Sequence, residues 1–119
     1  MGGRAAPLLR LVFGVTADTA PFTEITGLND PEQSPADSAR PNISVMYRGD
    51  DVVVIRLVFR AGQKMPDHRA GKPILVLGQS GRIDFTIGDR HIDLEPGSAV
   101  HVEAKVTHSL HATTDAVAT

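Results

Sequence analysis

Polar and apolar residues alternate with the period of β-strands from position 43 onward, and no helical period is sustained. The alternation is strict in residues 82–87, which predicts a strand that buries Ile83, Phe85 and Ile87 on one face. Further short apolar runs are separated by turns rich in Gly, Pro and Asp, and they fall at 43–47, 52–59, 74–77, 92–94, 100–102 and 107–111. Strands at roughly 8- to 12-residue spacing are typical of an all-β sandwich or barrel.

The first 42 residues have a different character. Residues 16–42 contain five Pro or Gly positions among Asp, Ser, Thr and Glu, without a sustained period of 2 or 3.6. We therefore predict an irregular N-terminal arm over residues 1–42 and a barrel domain over residues 43–119. The apolar run 8–13 fits either a strand or a helical turn, and one use for it is strand addition to a partner's sheet edge. A long arm beside exposed sheet edges predicts a homodimer, with the arm laid across the neighbouring sheet.

Composition narrows the classes of function. A chain of 119 residues with 41% hydrophobic and 22% charged residues can bury the core of one small domain. Twelve Lys and Arg against fourteen Asp and Glu give a net charge of −2 without a basic block, which argues against a nucleic-acid partner. The chain has no cysteine, so disulfides and thiolate ligands are excluded. The apolar stretch 8–15 is short and contains Arg10, so we expect no membrane partner and a cytoplasmic location.

Three glycines and two histidines give the chain a family resemblance. Gly62 and His68 lie six positions apart and Gly81 closes the same segment; after an interval of 15 residues, Gly97 is followed by His108. This spacing resembles the two motifs of the cupin superfamily, G(X)5HXH(X)3,4E(X)6G and G(X)5PXG(X)2H(X)3N. The resemblance covers about residues 43–119 and implies a double-stranded β-helix of the jelly-roll type, whose narrow interior opens at one end.

In that family, the motifs typically hold a divalent metal through three histidines and one glutamate. His68 matches the first histidine and His108 the last, but Ala70 and Ile74 stand at the second histidine and the glutamate. Two imidazoles alone provide too few ligands to bind Fe, Mn, Ni or Zn tightly. The favoured interpretation is therefore that both are ordinary pocket histidines. Two further side chains lie near enough in sequence to replace a lost ligand, but alternation places neither inside the barrel: Gln79 and Glu103.

The second motif departs from the family at three other positions. Glu103, Lys105 and Ala112 stand where the family has Pro, Gly and Asn. The turn between the two strands of this motif is therefore not expected to follow the family pattern closely.

The remaining histidines give weaker signals. His91 lies in a charged turn region and is predicted to be solvated. His111 follows His108 by three residues, and strand alternation places the two on opposite faces, with His111 outside. His101 is out of phase with its apolar neighbours and points either toward the pocket or into solvent.

Three other charged residues lie close to the predicted site in sequence. Arg56 interrupts an apolar strand, and it either faces the pocket to pair with an anionic ligand or extends its charged end into solvent, which is the favoured alternative. Arg69 is predicted to face away. Asp67 could orient the imidazole of His68, but a solvated carboxylate is favoured, because adjacent strand residues face opposite ways.

The predicted function is a binding module, a sensor or carrier that accepts a small, mostly apolar organic ligand. The expected pocket is formed by His68, Ile74, Val76, Ile83, Phe85 and His108. The alternative is a metal-dependent cupin enzyme of the dioxygenase or isomerase type that uses His68 and His108 as metal ligands. Both functions require the two imidazoles to lie next to each other inside one pocket.

Overall fold

We analysed a computed structural model of the chain, which describes residues 20–32 and 38–119. Within these residues the chain forms strands and no helix. The strands are β1 (Asn42–Arg48), β2 (Val53–Phe59), β3 (Lys64–His68), β4 (Ile74–Ser80), β5 (Ile83–Ile87), β6 (Arg90–Leu94), β7 (Ala99–Val102), β8 (His108–Ala112) and β9 (Ala116–Ala118). The all-β prediction is confirmed. The apolar run 8–13 lies outside the described residues.

The strands form two antiparallel sheets that face each other. The five-stranded sheet has the order β1-β2-β9-β4-β7, and the four-stranded sheet has the order β3-β8-β5-β6. Each sheet joins strands that are distant in sequence, as in the two interleaved halves of a jelly roll. This is the double-stranded β-helix that the family resemblance implied.

The core lies between the inner faces of the two sheets. Alternation in β5 buries Ile83 and Phe85, as predicted, and the register places Phe85 opposite Leu110 of β8. Val76 and Val100 close the core from the five-stranded sheet, where they lie opposite each other on β4 and β7. Burial of these side chains provides the main stabilisation of the barrel, at about 25 cal/mol per Å² of apolar surface.

Two strands are not predicted by alternation. β3 contains Pro66, which cannot donate a ladder hydrogen bond, and β9 is a short run of small residues buried on both sides. β9 nevertheless joins the halves of the five-stranded sheet, because Ala118 pairs with both Leu57 of β2 and Gly78 of β4. Short central strands of this kind give no periodic signal.

The described part of the arm covers the outer face of β2. Arg56 donates from Nη1 to the Gly27 carbonyl at 3.0 Å and from Nη2 to Glu32 Oε1 at 2.7 Å, and it is only 6% exposed. Thr119 Oγ1 donates to the Leu28 carbonyl at 3.4 Å. Residues 27–32 thus lie on this chain's own sheet, while the expected homodimer stays a prediction.

Both sequence-based alternatives for Arg56 are therefore wrong. The side chain neither faces the pocket nor extends into solvent, because alternation along β2 turns it outward and the arm then covers it. Arg69 is exposed, as expected. Within residues 20–32 and 38–119, no helix has the length and apolar character needed to cross a bilayer.

Candidate functional site

A cavity of about 930 Å³ opens between the two sheets. Its walls are mainly apolar and come from both sheets. The principal wall residues are Ile43, Val53, Ile55, Leu57, Met65, Ile74, Val76 and Leu110. His68 and His108 also line it, and cavities of this size and apolar character are typical of small-molecule sites.

A β-bulge turns His68 toward this cavity. Met65 lies opposite Leu110 in the pairing of β3 with β8, and both side chains face inward. Regular alternation would turn His68, three residues later, to the outer face. The register instead shifts between Met65 and His68, so that His68 lies opposite His108. The bulge thus redirects the histidine inward, which is a common role of bulges beside functional sites.

The two bulge residues suit this irregularity. Pro66 has no backbone N–H to leave unpaired, and both Pro66 and Asp67 are exposed. The Pro66 carbonyl accepts a hydrogen bond from Nδ1 of His68 at 2.7 Å. The imidazole is therefore held by this backbone carbonyl, and Asp67 is not among its hydrogen-bond partners.

His108 is the more deeply placed of the two histidines. It is 2% exposed, and its ring stacks on Phe85 with the planes 6° apart. Its ring centroid lies 4.3 Å from that of His68 in an edge-on arrangement, with the planes 65° apart. The expected proximity of the two imidazoles is confirmed.

Hydrogen bonding fixes the same tautomer in both neutral rings. His108 Nδ1 lies 2.9 Å from the Val106 carbonyl, as His68 Nδ1 lies 2.7 Å from that of Pro66. A carbonyl oxygen can only accept, so Nδ1 carries the proton and Nε2 keeps a free lone pair. Neither Nε2 has a hydrogen-bond partner among the described residues. Two acceptor nitrogens are thus available to the cavity.

Within residues 20–32 and 38–119, the charged side chains that line the cavity belong to turns. Asp50 and Asp51 lie in the turn after β1, and Lys72 lies in the turn before β4. Two carboxylates against one ammonium give this part of the lining a formal charge of −1 at neutral pH. The field at the entrance is weakly unfavourable to anions.

The turn before His108 has a special backbone conformation at the position where the family motif has glycine. Lys105 has a φ of 66°, the one positive φ of a non-glycine residue in the described segments. Its N–H donates to the Ala70 carbonyl at 2.7 Å, which ties this turn to the loop after β3. The turn thus has a left-handed residue at this position with a lysine in place of glycine, and the departure from the family pattern stays a prediction.

Of the six expected pocket residues, four lie on the cavity wall and two lie in the buried core. His68, His108, Ile74 and Val76 lie on the cavity wall. Ile83 and Phe85 are instead buried in the core, where they are 1% and 0% exposed, so the expectation that they line the pocket needs correction. The reason is that β5 lies deep in the four-stranded sheet between β8 and β6. Phe85 reaches the site only by stacking on His108.

Several wall residues were not identified from the sequence. Ile55 and Leu57 line the cavity from β2, and Met65 and Leu110 line it from β3 and β8. The available signal was alternation, because Ile55 and Leu57 share the face of the core residue Phe59. For Met65, no such signal existed, since β3 is irregular.

The other histidines lie outside the cavity or at its opening. His91 and His111 are exposed, as predicted, and His91 Nδ1 lies 3.1 Å from the Asp84 carboxylate. His101 lies opposite Leu75 on the outer face, at the edge of the cavity opening, and its Nδ1 is 3.8 Å from Glu103.

Neither suggested substitute ligand faces His68 or His108. Gln79 donates to Thr119 Oγ1 at 3.1 Å, and the Glu103 side chain is 77% exposed. Ala70 and Ile74, which stand at family ligand positions, both line the cavity without a donor atom. No group of three or more His, Cys, Asp or Glu side chains in residues 20–32 and 38–119 is arranged to hold a metal ion. The family's four-ligand metal site does not fit this donor set.

Comparison with known proteins agrees with the fold. The family model described as "Cupin domain" matches residues 55–119, more than half of the chain. The chain therefore belongs to the cupin superfamily. No curated protein sequence matches it.

Solved structures show the same architecture at low identity. An RmlC-like cupin protein from Desulfovibrio desulfuricans has a TM-score of 0.68 at 20% identity, covering 82% of this chain and 92% of that one. A cupin superfamily protein from Desulfitobacterium hafniense gives 0.63 at 19%, covering 81% and 94%. An uncharacterised conserved protein with a double-stranded β-helix domain from Klebsiella pneumoniae gives 0.69 at 16%, covering 82% and 86%. At such identities the similarity establishes the fold alone.

Proposed function

We propose that the cavity binds a small, mostly apolar organic molecule and that His68 and His108 are its polar contacts, as in a sensor or carrier. One observation carries the proposal: an apolar cavity of about 930 Å³ whose only buried polar lining, among the described residues, is the His108 ring beside His68. Removing an apolar ligand from water into such a cavity is favourable, and the two imidazoles would orient it.

A neutral solvatochromic dye such as Nile red provides a direct test. We expect saturable binding with blue-shifted emission, because the dye enters an apolar environment. Ile55→Trp places a bulky ring in the cavity wall and should lower the affinity at least about tenfold, the loss of roughly 1.4 kcal/mol. His111→Trp adds the same ring on the exposed outer face of β8 and should leave binding unchanged. Equal binding by Ile55→Trp and the parent protein would contradict the proposal.

The second candidate is a metal-dependent enzyme. The observation that favours it is the shared tautomer, since a metal-ligating histidine uses one ring nitrogen while the other donates to a carbonyl or carboxylate. The small number of protein ligands argues against the enzyme, because two imidazoles leave most of the coordination shell of a first-row metal to water or substrate.

Metal analysis of protein purified without a histidine tag separates the two candidates. The binding proposal expects substoichiometric metal and an unchanged melting temperature when Zn²⁺, Ni²⁺, Mn²⁺ or Fe²⁺ is added. Stoichiometric metal that disappears in the His68→Ala His108→Ala double variant would instead support the enzyme. A His91→Ala His111→Ala double variant is the matched control, because it removes two exposed histidines away from the cavity.

A further inference from the structure

The histidine pair offers two hydrogen-bond acceptors. Each imidazole gives its Nδ1 proton to a backbone carbonyl, so each Nε2 keeps a lone pair that has no partner among the described residues, and both histidines line the cavity. An apolar ligand with no donor would cover these nitrogens and leave them unpaired, which is unfavourable. The site therefore discriminates in favour of a molecule that brings a hydrogen-bond donor.

The acceptors are held in fixed positions. The His108 ring stacks on the fully buried Phe85, contacts the edge of His68 and bonds the Val106 carbonyl. Rotation about χ2, which would exchange Nδ1 for another ring atom, breaks that last bond. A preorganised acceptor loses little conformational freedom when it binds, so its hydrogen bond contributes more fully to affinity.

The charges of the site disfavour an anionic ligand. Lys72 is the one lysine or arginine that lines the cavity within the described residues, and Asp50 and Asp51 outnumber it. Arg56 is a buried cation, but its side chain faces away from the cavity and donates a hydrogen bond to Glu32. A carboxylate ligand would also bring its own lone pairs against the two Nε2 atoms.

A cationic ligand is disfavoured for a different reason. An ammonium group would satisfy the acceptors, but the cavity walls are apolar and its charge would lose most of its hydration. The two carboxylates lie in the turn between β1 and β2, whereas the histidines lie on β3 and β8. A neutral hydroxyl group satisfies an acceptor at much lower desolvation cost.

We infer that the ligand of the cavity is a neutral hydrophobic molecule that carries a hydroxyl group, such as a fused-ring phenol. Its O–H is directed to Nε2 of His68 or His108. This inference rests on the proposed binding function and specifies the ligand class for the same site. The cavity volume of about 930 Å³ accommodates a molecule of two or more rings. Two neighbouring acceptors would also suit a pair of hydroxyl groups on one ring.

Three naphthalene derivatives of similar size test the ligand class: 2-naphthol, its methyl ether and 2-naphthoate. Calorimetric titration near neutral pH should show that the naphthol binds about tenfold more tightly than the ether, as one hydrogen bond of ordinary strength predicts. The naphthoate should bind more weakly than the ether. Equal binding of naphthol and ether, or tightest binding of the naphthoate, would overturn the ligand class and leave the binding function in place. Failure of all three to bind would remove both.

Variants locate the effect at the histidines. His108→Phe keeps a ring against Phe85 and removes one of the two acceptors, so the naphthol should lose part of its advantage while the ether still binds. His68→Phe makes the same change at a half-exposed position, and it carries the test if the buried variant does not fold. His91→Phe is the control, because His91 is exposed on the outer face and should leave the naphthol preference unchanged. A full preference for naphthol in both site variants would overturn the inference.

Discussion

The imidazole of His108 stacks on the ring of Phe85, with the planes 6° apart and the ring centroids 5.4 Å apart. Phe85 belongs to the hydrophobic core, and His108 lies on the wall of the cavity above it. This contact makes the functional side chain part of the packed interior. The orientation of the acceptor nitrogen is thereby coupled to the stability of the barrel.

His108→Ala should lower the free energy of unfolding by about 2–4 kcal/mol, because it removes a buried ring and leaves a gap above Phe85. His108→Phe should cost about 1 kcal/mol, since it keeps the stacking and loses the bond to the Val106 carbonyl. Urea unfolding measures both. The exposed His111→Ala variant should change stability by less than about 0.5 kcal/mol. A cost for His108→Ala no larger than that of His111→Ala would contradict the packing role.

The tautomers of His68 and His108 can be observed directly. At a pH where both rings are neutral, long-range ¹H–¹⁵N correlation spectra should show Nδ1 protonated and Nε2 unprotonated in each, because the Pro66 and Val106 carbonyls accept from Nδ1. His111, which is exposed on the outer face, should show the ordinary mixture of tautomers found in water. Protonated Nε2 at either site would remove the basis for a donor-bearing ligand.

Alternation predicted most of the strands, yet it could not place His68. Met65 and His68 are three residues apart, so a regular strand would put them on opposite faces, and only the spacing of the family motif indicated that His68 lies inside. The bulge depends on how β3 pairs with β8, which is distant in sequence. Arg56 escaped prediction for a similar reason, because its partner Glu32 lies 24 residues away on an arm without periodicity.

Lys105 adopts a left-handed conformation that costs a residue with a Cβ about 1 kcal/mol or more. Lys105→Gly should therefore raise the free energy of unfolding by about 0.5–1 kcal/mol, measured in urea. The bond from its N–H to the Ala70 carbonyl is a backbone contact and is retained. Gly88→Ala is the reciprocal control, since Gly88 has a φ of 60° with open space around it and alanine should destabilise. A stability loss for Lys105→Gly would show that its side chain outweighs the backbone strain.

Arg56 should control the docking of residues 27–32. Arg56→Met removes the bonds to Gly27 and Glu32, so amide hydrogen exchange at Asp30, whose N–H donates to the Gly27 carbonyl, should accelerate. Glu32→Gln should have a smaller effect, below about 1 kcal/mol, because the Glu32 side chain is 60% exposed. Arg82→Met removes an exposed pair with Glu95 and should leave the arm unchanged. Unaltered exchange at Asp30 in Arg56→Met would mean that other contacts hold the arm.

The bulge at Pro66 and Asp67 should be the feature that turns His68 inward. Inserting an alanine between Asp67 and His68 moves the histidine one position further along β3, and alternation past the same bulge then places it on the outer face. The nuclear Overhauser effect between the His68 and His108 rings, whose centroids lie 4.3 Å apart, should disappear, while that between Met65 and Leu110 persists as evidence of the intact pair. Asp67→Ala keeps the chain length and should retain both effects. A ring contact that survives the insertion would assign the orientation of His68 to some other constraint.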